Sequence, residues 1–175
     1  MSVLSGTPPK GRARFYVSEG ANIAATMNEH GYPRETYTRG VGLAGDPADA
    51  RQVPVTPRAG PNAGTYYTHH DHRGDIILVR SGTTTVSSYD YSAFGNSQSA
   101  IGPDLCRFKF SSKERDPSTG LSYYGYRFCT PQWQRWINCD PVGESGFGGV
   151  SLYGYASNAP IQRIDPYGLR DWPWP

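Results

Sequence analysis

Two Asp-Pro-x-Gly blocks, Asp140-Pro141-Val142-Gly143 and Asp165-Pro166-Tyr167-Gly168-Leu169, stand twenty-five residues apart near the C-terminal end of this chain. Each block fixes its own backbone. The aspartate accepts hydrogen bonds from the amides after it, the proline presets φ at the next position, and the glycine takes a conformation other residues resist. One such block is an ordinary β-turn. Two of them put a pair of carboxylates at the heads of two tight turns, and the segment between must fold back if the turns are to meet. That segment carries a strand-like run at 150–155, then Asn158-Ala159-Pro160. The best candidate for a helical turn spans 159–164, with Asn158 as N-cap and Pro160 in the first turn, delivering Asp165 immediately after its end.

The rest of the chain reads as short strands between turn clusters. Runs at 14–17, 66–69, 76–80 and 84–89 alternate or are β-branched and aromatic, with Arg73-Gly74-Asp75 and Ser81-Gly82 as turns. A count of 21 Gly, 15 Pro and 13 Tyr in 175 residues fits a turn-dense, aromatic β-protein rather than a helical one. Between Ala44 and Ala63 the composition shifts to Pro, Gly, Ala, Asp and Arg, the signature of a loop or linker. A faint repeat links 67–74 and 89–95, each running from an aromatic through an aspartate to a glycine.

Several functional classes find no support. Net charge is +2 and the 17 basic residues are scattered, so nucleic-acid binding is not expected. No apolar run approaches the roughly 20 residues of a membrane-spanning helix. No signal peptide is visible in the opening residues. Cys106, Cys129 and Cys139 are odd in number and lack CxxC spacing, arguing against a zinc site. His69-His70-Asp71-His72 reads as an exposed strand edge, since alternation on a strand would put only His70 and His72 on one face. No metal and no cofactor is expected. The aromatic series Tyr123, Tyr124, Tyr126, Phe128, Trp133 and Trp136 reads as core packing.

From Tyr89-Asp90 to Leu169 the chain resembles the core domain that ends RHS-repeat (YD-repeat) proteins. The resemblance is carried, in order, by Tyr91-Ser92-Ala93-Phe94-Gly95-Asn96, Phe108-Lys109-Phe110-Ser111-Ser112-Lys113, Asp116-Pro117-Ser118-Thr119-Gly120-Leu121 and Tyr123-Tyr124-Gly125-Tyr126-Arg127-Phe128. Gln134-Arg135-Trp136-Ile137, the first Asp-Pro block, Leu152-Tyr153-Gly154-Tyr155-Ala156-Ser157-Asn158-Ala159-Pro160 and the closing block complete it. It implies a mainly β fold with little helix, in which consecutive hairpins form the end of an RHS shell and a core segment folds inward. It divides the chain into a loosely structured N-terminal and linker segment at 1–63, the core domain at 64–169 and a short tail at 170–175.

The resemblance also implies chemistry. Core domains of this family are implicated in cutting their own chain after the Gly-Leu of the second block. Carried over, Asp140 and Asp165 are the two aspartates, Arg127 the associated arginine, and Leu169–Arg170 the scissile bond, with Pro141, Gly143, Pro166 and Gly168 forming the turns. Two carboxylates held close divide one proton between them, so one can activate water while the other assists at the carbonyl or leaving amine. A guanidinium beside them fixes their geometry. The implied partners are further RHS repeats or a partner shell chain and the released C-terminal peptide. Open strand edges favour self-association, and the family suggests a secreted or cell-surface setting. The alternative is a non-enzymatic structural or interaction β-module, or a truncated orphan end without a C-terminal toxin.

Overall fold

A computed structural model describes residues 15–19, 22–28, 30–37, 51–54, 64–143 and 151–173. Strands β1 (Phe15–Glu19), β2 (Asn22–Met27) and β3 (Pro33–Thr36) form an antiparallel meander. A five-stranded antiparallel sheet comes next in chain order, from β4 (Arg51–Pro54) through β5 (Thr65–His70), β6 (Ile76–Ser81) and β7 (Thr84–Tyr91) to β8 (Ser97–Ile101). Along β5 the side chains alternate, Tyr66 and Thr68 buried, Tyr67 and His69 exposed, as the period-2 pleat requires. The turn after β5 is built by Asp71, whose Oδ1 accepts the amides of Arg73 at 2.9 Å and Asp75 at 3.0 Å. The expected strands therefore coincide with β1, β5, β6 and β7, apart from Arg14, which lies outside the described residues.

Two expectations for this half change. A bulge between His69 and His70 ends β5, so His72 stands in the turn and the strand alternation never reaches it. Within the stretch read as a linker, β4 pairs antiparallel with β5. The N-terminal meander is also tied to the segment after β8: Tyr37 meets the edge of Phe108 with ring centroids 4.9 Å apart, and Arg107 donates to Tyr16 Oη at 2.8 Å.

The second half uses very short strands. β9 (Glu114–Arg115), β10 (Ser122–Tyr123), β11 (Phe128–Thr130) and β12 (Arg135–Trp136) form one small antiparallel sheet, and β13 (Arg163–Ile164) pairs with β14 (Trp172–Pro173). Cohesion comes from aromatic packing. Phe110, Tyr124, Cys129, Trp136, Tyr155 and Ala156 form a buried cluster, separate from the Tyr66, Ile76, Val79, Tyr89 and Phe108 cluster under the larger sheet; Tyr91 packs against both. Tyr124, Trp136 and Tyr155 meet edge-to-face, centroids 5.0–5.6 Å apart, the geometry that ring quadrupoles prefer. The aromatic series read as core thus divides: Tyr124 and Trp136 are buried, whereas Tyr123, Tyr126, Phe128 and Trp133 are exposed.

The strand expected at 150–155 is replaced by turns. Val150 lies outside the described residues, and from 151 the chain makes a single bridge, Gly154 to Arg135, before a 3-10 turn at Ala156–Asn158. The reason is Tyr155, which is drawn into the aromatic cluster; a straight strand would carry the chain past it. The fold-back itself is present: Trp136 N–H donates to Tyr153 O and Asp140 N–H to Leu152 O, both at 3.0 Å. The helical turn expected at 159–164 is also absent as such. Asn158 has φ +59°, outside the extended conformation of an N-cap. Ala159 O accepts the Gln162 and Arg163 amides at 3.0 Å each, and the chain then enters β13.

Candidate functional site

Arg127 leaves the β10–β11 hairpin just after Gly125, whose φ of +100° lets the chain reverse. Its guanidinium lies over the Trp136 ring, 4.3 Å from the centroid, and the residue is 3% exposed. From that seat all three nitrogens are used. Nη1 is 2.9 Å from Asp140 Oδ2, Nη2 is 3.1 Å from Asp165 Oδ2, and Nε donates to Gly168 O at 2.6 Å. The planar fork therefore bridges the heads of both Asp-Pro turns, and Lys could not reproduce it.

The two aspartates are held differently. Asp140 heads a regular β-turn: its carbonyl accepts the Gly143 amide at 3.1 Å and its Oδ1 the Val142 amide at 2.9 Å. Asp165 is more deeply buried, and its Oδ1 gathers three successive amides, Gly168 at 2.8 Å, Leu169 at 3.1 Å and Arg170 at 3.3 Å. The nitrogen of the Leu169–Arg170 bond is thus a direct neighbour of a carboxylate. Burial pushes the Asp165 carboxyl above its ordinary value, against the downward pull of the Leu169 amide, the Arg127 charge and the other amides. Gly168 is required where it stands. Its φ is +73°, and a Cβ there would lie 3.1 Å from Arg127 Cβ and 3.1 Å from its backbone nitrogen.

Asp140, Asp165, Arg127, Leu169, Arg170 and Asp171 line one open cavity of about 350 Å³, roomy enough for water beside the pair. The structure therefore brings together Asp140, Asp165, Arg127 and both residues of the Leu169–Arg170 bond, with Pro141, Gly143, Pro166 and Gly168 in the turns that deliver them. Cys129 lies close behind, but burial pushes its thiol up to about 12, so it stays protonated and is no nucleophile. Two further charged residues stand beside the site. Arg163 and Asp171 form an ion pair across the base of the loop that holds the bond. Their signal was available, since opposite charges bracket the second block just outside it, but nothing local says that they meet.

No family model matches the chain. It is 32% identical over 117 residues, 62% of its length, to the tRNA nuclease WapA of Bacillus subtilis. It is 41% identical over 66 residues, 38% of its length, to toxin subunit YenC2 of Yersinia entomophaga. The chain is similar to Rhs- and Tc-toxin-related proteins. Among solved structures, the TcdB2–TccC3 crystal structure without its hypervariable C-terminal region superposes with a TM-score of 0.68 at 26% identity, over 93% of this chain. The likeness is to a small part of each: the chain spans 5% of WapA, 6% of YenC2 and 8% of the TcdB2–TccC3 chain. The fold is the mainly β architecture of these neighbours.

Proposed function

We propose that this chain is the end-closing core module of an RHS-type β-shell and that it cuts its own Leu169–Arg170 bond with the Asp140–Asp165 pair. The observation that carries the reading is the Arg127 fork, which fixes both carboxylates in one cavity while Asp165 Oδ1 lies 3.3 Å from the Arg170 nitrogen. Position divides the roles. Asp140, as carboxylate, takes a proton from water, whose oxygen bonds to the Leu169 carbonyl carbon. Asp165, whose Oδ1 lies 3.3 Å from the Arg170 nitrogen and whose carboxyl burial pushes upward, takes up the proton the pair shares and gives it to that nitrogen as the C–N bond breaks. The products are a carboxyl group on Leu169 and an amine on Arg170. Arg127 orients the pair and, through Nε on Gly168 O, the peptide just before the bond. Proximity of this kind lowers a barrier by up to roughly 7–11 kcal/mol.

A non-enzymatic reading rests on the same contacts taken as a structural lock, because Arg127 and three amides leave Asp165 fully partnered. Intact-mass measurement separates the two. On the cleavage reading, wild type loses the residues after Leu169, whereas Asp140→Asn and Asp165→Asn chains stay whole, because an amide supplies neither acid nor base. A wild-type chain that is folded and stays whole leaves only the lock. The nuclease and toxin activities named for the relatives are not assigned to this chain, which matches only a small part of each.

A further inference from the structure

Loop 165–171, which contains the Leu169–Arg170 bond, is closed at its base like a hairpin. β13 and β14 run antiparallel, Arg163 opposite Pro173 and Ile164 opposite Trp172. Across that base Arg163 Nε is paired with Asp171 Oδ2. The Asp171 side chain is 6% exposed and lines the cavity of the aspartate pair. The Arg170 guanidinium lies over the Trp172 ring, 4.4 Å from its centroid. β14 and the Asp171 ion pair thus tie residues beyond the bond to residues before Asp165. None of these contacts runs through the Leu169–Arg170 bond.

We propose, building on the cleavage reading above, that Arg163 is a positioning residue for the bond and that β13 retains the segment beyond the cut as bound product. The bond is anchored from both sides. Before it, Arg127 Nε holds the Gly168 carbonyl; after it, Arg163 holds Asp171. With only the first anchor the Leu169 carbonyl swings on a loop; with both it stays where water activated by Asp140 can reach it. Since a misplacement of about 1 Å costs up to roughly a hundredfold in rate, the clasp governs how fast the bond is cut. It also sets a preference: the second residue past the cut must be acidic and partly desolvated, a demand that a neutral side chain fails. The new Arg170 ammonium forms beside the Asp165 and Asp171 carboxylates, which favours retention further.

The test uses the full chain made by cell-free synthesis, quenched in acid at intervals and weighed intact, with native mass measured in parallel. Arg163→Glu and Asp171→Arg should each slow the cut by about tenfold to a hundredfold and lose the noncovalently held segment 170–175. Arg163→Lys should recover most of both, and the double exchange Arg163→Glu with Asp171→Arg should recover them in part. The dependence of rate on pH should keep its shape in every variant, because the clasp moves the bond and not the acid or base. Wild-type cutting with unchanged rate and retention in the single variants overturns this inference and leaves the cleavage reading standing. A folded wild type that is never cut overturns the cleavage reading and the positioning role with it. Hydrogen exchange over 170–173 then decides the clasp alone: Arg163→Glu must speed it, and unchanged exchange overturns the clasp too.

Discussion

Removing Arg127 probes the centre of the site and carries a magnitude that the geometry sets. Arg127→Ala deletes the one cation shared by two inward-facing carboxylates, at 2.9 Å from Asp140 and 3.1 Å from Asp165. Leaving a buried charge without its partner costs about 3–5 kcal/mol. The lost stacking on Trp136 adds about 1–2 kcal/mol. The terms overlap, so the expected loss is about 4–6 kcal/mol, a large part of the roughly 5–15 kcal/mol available to a domain. For a chain of this size that is a fall in Tm of about 10–20 °C. The sign of the pH dependence is a second check. Without the guanidinium, whose charge pulls it down, the raised folded pKa of Asp165 rises further above the unfolded value. A group shifted that way stabilises fully below its unfolded pKa, and the contribution is lost as pH rises through the folded one. The deficit of Arg127→Ala relative to wild type should therefore shrink between about pH 7 and about pH 4. Arg127→Lys keeps a charge without the fork and should fall between the two with little change on acidification. Calorimetry across that range decides. An Arg127→Ala chain that melts beside wild type, or whose deficit is the same in acid, refutes the account of Arg127 as the shared counter-ion.

Three further outcomes are expected. Asp75 is wholly buried, paired with Arg73 at 2.6 Å, and pushed by burial from 3.8 up to about 6; its folded pKa is raised, so it should contribute up to about 3 kcal/mol of stability below its unfolded pKa that is lost as pH rises through about 6. Urea midpoints of wild type should fall over that window and those of Asp75→Asn should fall less; equal slopes would sink the assignment. Gly168→Ala should lose stability and slow the cut, because its Cβ would press on Arg127, whereas Gly143→Ala, with φ +70° but nothing within 4 Å, should pay only backbone strain of about 1 kcal/mol. Equal melting shifts for the two would rule out the packing argument. Strand β8 is exposed along its whole length, with Ile101 70% exposed, so the chain should self-associate with concentration and Ile101→Lys should weaken this in sedimentation; an unchanged association places the seam elsewhere.

The parts of the fold that could be read from the residues are those where local rules and tertiary packing agree. β5 to β7 alternate because one face is buried, and their turns carry Asp71, Gly74 and Gly82 where positive φ or an amide acceptor is needed. The 150–155 run alternates just as well, yet there Tyr155 is worth more inside the aromatic cluster than a straight strand is outside it. The paired Asp-Pro turns were legible as turns; that they meet depends on Arg127, whose part came from a family resemblance and not from any spacing. That Asp165 would collect three amides, one of them at the bond itself, is a property of how loop 165–171 curls. The clasp of Arg163 on Asp171 was hidden for the same reason: its partners are distant in local pattern and adjacent only once β13 and β14 pair.

On the cleavage reading, water activated between Asp140 and Asp165 enters at the Leu169 carbonyl. Cell-free synthesis of the wild-type chain in heavy-oxygen water, compared with ordinary water by mass spectrometry of the peptide that ends at Leu169, tests it directly. The expected product is a chain ending at Leu169 with one heavy oxygen from solvent in its new carboxyl group, and no such chain from Asp165→Asn. A folded wild type that stays whole, a cut after Asp140 or Asp165 at the acid-labile Asp-Pro bonds, or a Leu169 terminus equally abundant in Asp165→Asn would contradict it.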